Sequence, residues 1–532
     1  MSLGLKQVCK VTGHSFNVSE AELEFLRRVA ELNPQLGLAS LPPPSIYPTQ
    51  ITRQICCFGN AVNLFKTESA ISGKSQLSRY NPAFGYHVST IDEFWSDVDN
   101  TKHGMSYDFS RPFFEQWNEL MHKAYLLPLG NARVENSDFA NGARDIKNCY
   151  LIFAASQCED CLYCLGVFNS NDLIDCVGAN QCQFCYSCAD IENCYECQHC
   201  RDSYNCSTCI SCIDCRSCNN CIGCVGLTSA EYCIYNEKVS KVQFDQFIAK
   251  TKLGSFHGRS EFLKTSKQFQ SSYPHSVNRI INCEDCSGAY LFDSQNLFHC
   301  YHATGSRDCG YMCTAMNSND CWYGYAFGSD LQYQAANYNS YNSHFSYLVF
   351  DGKTCCYSFL LFNGCTDCFG CVGLKKNSYC ILNKQYSKNE YFELLPRIVA
   401  HMQSTGEWGE YFPLKYSPHS YQESWVEDYH EAIAEPELIR RGFRMVPVPI
   451  SVAPYGALSA QDIPDLIDEV NVDSILTKAL ICNESGQGYS LQRKELAFYK
   501  KFNIPLPRQN WRLRIKRLTE VRERIPDQFK LE

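Results

Sequence analysis

Cys182-Gln-Phe-Cys185-Tyr-Ser-Cys188-Ala-Asp-Ile-Glu-Asn-Cys194 opens a pattern that decides the fold. Cys182, Cys194, Cys206 and Cys218 form one column at a spacing of 12 residues. Cys185, Cys197, Cys209 and Cys221 form a second column, and Cys188, Cys200, Cys212 and Cys224 a third. Two repeats upstream, Cys158, Cys161 and Cys164 occupy the same slots; Ser170, Leu173 and Cys176 lie between, and Val134, Ser137 and Ala140 open the series. A fourth slot holds residues such as Ala143, Ala155, Val167 and Cys215. Small or apolar residues thus recur at every third position, with polar residues such as Asp190, Asn193, Asp202, Asn205 and Asp214 between them. A period of three suits neither a helix nor an alternating strand. It suits a narrow coil with four short sides, each pointing one residue inward, and a fixed period with stackable units marks a repeat architecture. The expectation is a mainly β protein with two Cys-rich β-solenoid regions, parallel β-helix-like with a 12-residue coil, plus capping helices and small α+β terminal modules.

Outward from that stretch, the chain divides into segments. The first solenoid covers 134–241, followed by a helical connector over 242–279 and a second, less regular solenoid over 280–386. Cys218-x2-Cys221-x2-Cys224-Val-Gly-Leu returns 147 residues later as Cys365-x2-Cys368-x2-Cys371-Val-Gly-Leu, so a solenoid and its following helix are duplicated. A capping helix and tail occupy 387–445 and a linker 446–478. The terminal modules, 1–70 and 479–532, are copies of one motif 473 residues apart: Cys9 matches Cys482, Gly13 matches Gly486, Glu22 matches Glu495, and Phe25 matches Phe498. Residues 71–133 read as linker and helix, with Ser110 as N-cap, Pro112 in the first turn, and Phe113, Phe114, Trp117, Leu120 and Met121 on an apolar face. That helix is expected to cover the open first coil of the first solenoid.

The 532 residues carry a net charge of -9, which provides no global pull toward nucleic acid or anionic membrane. No apolar run approaches the ~18 residues that span a bilayer, and the N-terminus has no apolar secretory core, so a cytoplasmic protein with no membrane partner is expected. Thirty-five cysteines in a chain of this length, with no export signal, point to reduced thiols packed as small core residues.

Four stretches, Phe109-Ser-Arg-Pro-Phe-Phe-Glu-Gln116, Cys380-Ile-Leu-Asn-Lys-Gln-Tyr-Ser387, Gly406-Glu-Trp-Gly-Glu-Tyr-Phe412 and Ile504-Pro-Leu-Pro-Arg508, together with both Cys ladders, resemble a family of Cys-repeat proteins from uncultured small-genome bacteria. The family has zinc-ribbon-like segments at its ends, and the resemblance implies that architecture without an activity. It departs from the family where the terminal modules would bind zinc. Cys9 is partnered by Thr12 and Cys482 by Ser485, while Tyr47-Pro48-Thr49-Gln50 and the stretch from Arg508 to Arg512 hold no cysteine. A four-thiolate site needs four ligands, so both modules are expected to lack zinc.

Three readings of the ladder are open. Inward thiols can fill a narrow interior, and the Ala, Ser, Val and Leu at equivalent slots favour this. The twelve columnar cysteines could instead bind Zn, Cu or an Fe–S cluster, or could form a disulfide-laddered rod. No cofactor is predicted on the first reading. Arg508, Arg512, Arg514, Lys516 and Arg517 make the C-terminal module basic, and a nucleic-acid contact is weighed there against a solvated helix face. Tyr333, Tyr338, Tyr341 and Tyr347 are the candidate partner-contact surface. His299 and His302 flank Cys300 and are read as loop residues. No phosphate-loop, dinucleotide, zinc-protease or serine-hydrolase motif occurs, so an enzyme is not expected. The leading function is a rigid scaffold presenting its faces to a protein partner or to itself. A thiol-based metal or redox protein and a nucleic-acid-associated protein are the alternatives.

Overall fold

The structure, a computed structural model, describes residues 4–34, 41–178, 186–189, 209–274, 279–446 and 453–521. More residues lie in strands than in helices, and several of the sheets are parallel. Among the described residues no helix is long and apolar enough to cross a membrane. The chain forms two compact units, each assembled from distant stretches: Met1–Leu129 with Val277–Val446, and Gly130–Ser276 with Pro447–Arg522.

In the unit containing the first repeat region, parallel strands pair at a register of 12. Ala143 faces Ala155, Ile146 faces Cys158, Cys158 faces Ser170, and Cys221 faces Cys233. The backbone has a left-handed φ at every third residue, including Asp145, Asn148, Leu151, Ala154, Gln157, Asp160 and Tyr163, and again at Ser211, Asp214, Ser217 and Asn220. Each such residue directly precedes an inward one: Ile146, Cys149, Ile152, Ala155, Cys158, Cys161 and Cys164 are all buried in one apolar column. The period of three therefore has a backbone cause. Asn, Asp and Gly tolerate the left-handed region best and recur at these turning positions, and Asp214, one of the polar gap-fillers of the sequence pattern, is such a residue.

The second repeat region, in the other unit, follows the same rule with a variable register. Leu297 faces Cys309 at 12, Trp322 faces Tyr333 at 11, and Cys355 faces Cys368 at 13. This explains its weaker periodicity. One inward column holds serines, each hydroxyl accepting the N–H of the next. Ser306 N–H reaches Ser294 Oγ at 3.1 Å, Ser318 reaches Ser306 at 3.2 Å, Ser329 reaches Ser318 at 3.2 Å, and Ser340 reaches Ser329 at 3.2 Å. Outward positions form aromatic stacks, such as Phe327–Tyr338–Phe350–Phe362, with centroid spacings of 4.6, 4.8 and 5.2 Å.

The terminal motif occurs three times. Antiparallel pairs Leu5–Val8 with Ser15–Val18 and Leu480–Ile481 with Gly488–Tyr489 are the two expected copies. A third, Phe65–Glu68 with Ser75–Ser78, carries Ser69 where the others carry Cys9 and Cys482. In each, a glycine with φ near +70° (Gly13, Gly73, Gly486) donates its N–H to the carbonyl of that Cys or Ser. The next residue (Lys10, Ala70 or Asn483) donates to a carbonyl at Ser45, Val88 or Arg508, and a helix begins three residues later, at Pro48, Ile91 or Trp511. Cys9 is buried against Phe16, Val18 and Tyr47, so an aromatic ring stands where the resemblance implies a zinc ligand.

The helix Phe113–Lys123 corrects one expectation. Its N-cap is Pro112, while Ser110 is held by Asp108. It packs against the second repeat region, with Phe113 against Tyr357 and Phe369. The Glu407 carboxylate accepts the Phe113 and Phe114 N–H groups, both at 2.8 Å, and Trp117 stacks on Phe412 at 4.1 Å. Two of the stretches that carry the resemblance thus meet. Glu407→Ala should lower stability by about 1–2 kcal/mol, measured by denaturant unfolding, because two helix N–H groups lose a charged acceptor.

Candidate functional site

Cys182, Cys185, Cys194, Cys197, Cys200 and Cys206 lie outside the described residues. The backbone of Cys188 pairs with Cys176. Cys209, Cys212, Cys218, Cys221 and Cys224 are buried and belong to no disulfide. Their thiols point to backbone carbonyls, two residues back on the same side and nine ahead in the next repeat. Cys218 Sγ is 3.3 Å from the Arg216 oxygen and 3.4 Å from that of Leu227; Cys224 Sγ is 3.4 Å from Ile222 and 3.5 Å from Cys233. Ser170 makes the same bond to Phe168 at 2.8 Å. Cysteine and serine exchange in these columns because both are small and place a donor there. In the second region, burial pushes the Cys300 and Cys321 thiols well above the usual range. Cys300 points inward within a strand, whereas His299 stacks on Tyr311 and His302 on Tyr290. Both histidines therefore sit at outward turning positions, each directly before an inward residue, Cys300 or Ala303.

The tyrosine surface also needs correction. Tyr333 and Tyr347 are fully buried, at 0% and 1% exposure. Tyr333 lies under the helix Glu20–Leu32, with its ring 5.9 Å from Phe25, and Tyr347 lies against Phe58 and Phe359. Tyr338 is half-buried in its aromatic stack. Only Tyr341 of the four is exposed, at 43%. The sequence pattern identified aromatic positions on the outer face, and the N-terminal segment then covered most of them.

The basic run is largely spent on internal contacts. Arg508 is buried, donates to the Ile463 and Pro464 carbonyls at 2.8 and 2.9 Å, and lies over the Phe256 ring. Arg514 lies 3.3 Å from both Asp175 and Glu495, over the Tyr163 ring. Arg517 pairs with Glu484. Arg512 and Lys516 are partly buried on the same helix, Trp511–Val521, whose Trp511 stacks on Phe153 at 5.8 Å. Arg514 and Trp511 hold the module to the first repeat region, whereas Arg508 and Arg517 bond to segments outside it.

One constellation went unseen in the sequence. Cys56, on the last turn of the helix Pro48–Cys56, lies 3.9 Å from Cys313 Sγ and 3.4 Å from His430 Nε2, and its sulfur is 2.8 Å from the Tyr325 hydroxyl. Cys56, Cys313 and His430 are fully buried. Among the described residues, these are the three His, Cys or acidic side chains whose ligand atoms lie within 4.8 Å of one another, and no described ladder thiol belongs to such a group. Burial, reinforced by Arg53, holds His430 well below the usual imidazole range, and burial raises Cys313 and Tyr325 well above theirs. The three come from positions 56, 313 and 430, so no local spacing could have signalled them. No family model, curated protein or solved structure matches the chain.

Proposed function

We propose that the protein is a non-enzymatic scaffold built on two β-solenoids, presenting an outer face to a protein partner. The 12-residue parallel register supports the solenoid reading, since stacked repeats yield extended surfaces suited to binding. The observation that carries the contact assignment is Tyr341. It stands at a groove with Leu32, Leu331, Arg28, Asp320 and Asp330, and the Lys353 ammonium lies 6.0 Å from its ring. An exposed aromatic among aliphatic and charged neighbours has the composition of a protein interface. Among the described residues, the Cys218, Cys221 and Cys224 thiols point to backbone carbonyls, and Arg508, Arg514 and Arg517 are bonded within the protein, which supports the scaffold reading over the metal-ladder and nucleic-acid readings.

The test places a photo-reactive amino acid at position 341 and, as a control, at exposed position 66. A discrete protein-sized adduct from 341 alone is expected, either between copies of the purified chain or in extract of the source cells. Tyr341→Ser should weaken the captured complex roughly ten-fold or more. No adduct at 341 in either setting would overturn the assignment.

A further inference from the structure

We propose that Cys56, Cys313 and His430, with Tyr325, form a structural zinc(II) site in the unit that contains the second repeat region. The distances carry the argument. A tetrahedral zinc with bonds of about 2.3 Å to sulfur and about 2.0 Å to nitrogen separates two sulfurs by about 3.8 Å, and sulfur from nitrogen by about 3.5 Å. Cys56 and Cys313 are 3.9 Å apart, and Cys56 and His430 are 3.4 Å apart. The Tyr325 oxygen is the fourth polar atom at the site; at 2.8 Å from Cys56 it needs a shift of about 0.7 Å to reach the fourth position.

Cys313 is not part of the thiol ladder. Met312 fills the inward slot of its strand, so the Cys313 side chain emerges on the outer face, where Cys56 and His430 converge on it. Two thiolates balance a divalent cation, which suits a site with no exposed atoms better than isolated charges would. The supporting shell is also present: Arg53, one turn before Cys56, donates to the Glu431 carbonyl at 3.0 Å and so fixes the backbone beside His430. The site would tie a helix near the N-terminus, a repeat strand and the tail after the second repeat region into one unit. A metal in that position supplies folding free energy.

Elemental analysis of the full chain, produced with zinc supplied and then desalted, tests the site. One zinc per chain is expected. The Cys56→Ser/Cys313→Ser double variant should lose it, and the ladder variant Cys221→Ser should keep it. X-ray absorption at the zinc edge of the unaltered protein covers the case in which the double variant does not fold. Two sulfurs at about 2.3 Å and nitrogen or oxygen at about 2.0 Å are expected. Absence of zinc, copper in its place, a sulfur-only shell, or zinc retained by the double variant would each overturn the proposal.

Discussion

Replacing Arg514 with methionine is expected to lower folding stability by about 3–5 kcal/mol, the range for removing one partner of a buried ion pair. Its guanidinium lies 3.3 Å from both Asp175 and Glu495, and those carboxylates have almost no exposed surface. Glu495 also accepts the Tyr163 and Tyr499 hydroxyls, both at 2.8 Å, so the cation sits within a buried polar network. Burial already pushes Asp175 up to about 7, against the pull of Arg514. Without the arginine that carboxyl rises further. A carboxyl whose folded-state value is raised favours the fold at low pH and loses that contribution as pH rises, so the variant's deficit should be larger at pH 8 than at pH 6. Denaturant midpoints at the two pH values measure this. An unchanged midpoint would return Arg514 to solvent and reopen a role for the basic helix in binding nucleic acid.

Glu22 is the matching residue of the N-terminal copy, and among the described residues no arginine pairs with it. Its carboxyl accepts Tyr323 at 2.9 Å and Tyr333 at 3.2 Å, and burial pushes it up to about 8 from the ordinary 4.5. The folded state therefore holds a proton that the unfolded state has released between these two values. Stability from this group is full below about 4.5 and falls as pH rises toward about 8, a loss on the order of 4 kcal/mol. Glu22→Gln keeps the shape and removes the titration. The variant should match the parent at pH 5 and exceed it by several kcal/mol at pH 8.5, read from paired unfolding curves. Parallel curves across that range would show that Glu22 is solvated or otherwise neutralised, and the docking of this helix would need another explanation.

The two glutamates show where sequence reading succeeded and where it stopped. Their equivalence was visible as a repeat of the motif around Cys9 and Cys482, because local hairpin chemistry requires a glycine with positive φ and a small residue four positions earlier. The third copy escaped because Ser69 replaces the cysteine that made the others conspicuous, although Ser72, Gly73 and Ser75 were available as a signal. What each glutamate meets was not legible, since the tyrosines that bind Glu22 lie about 300 residues away.

The sequence by itself determined the three-residue period and, in the first repeat region, the 12-residue parallel register and the inward placement of the described cysteines. These follow from steric rules that act within a few residues, namely which side chains tolerate a left-handed turn and which fit a narrow interior. The tertiary structure alone decided which outer positions stay exposed, why Tyr341 does and Tyr333 does not, and which cysteines meet a histidine. Those outcomes depend on segments brought together from opposite ends of the chain, and no periodicity within the chain encodes such a meeting.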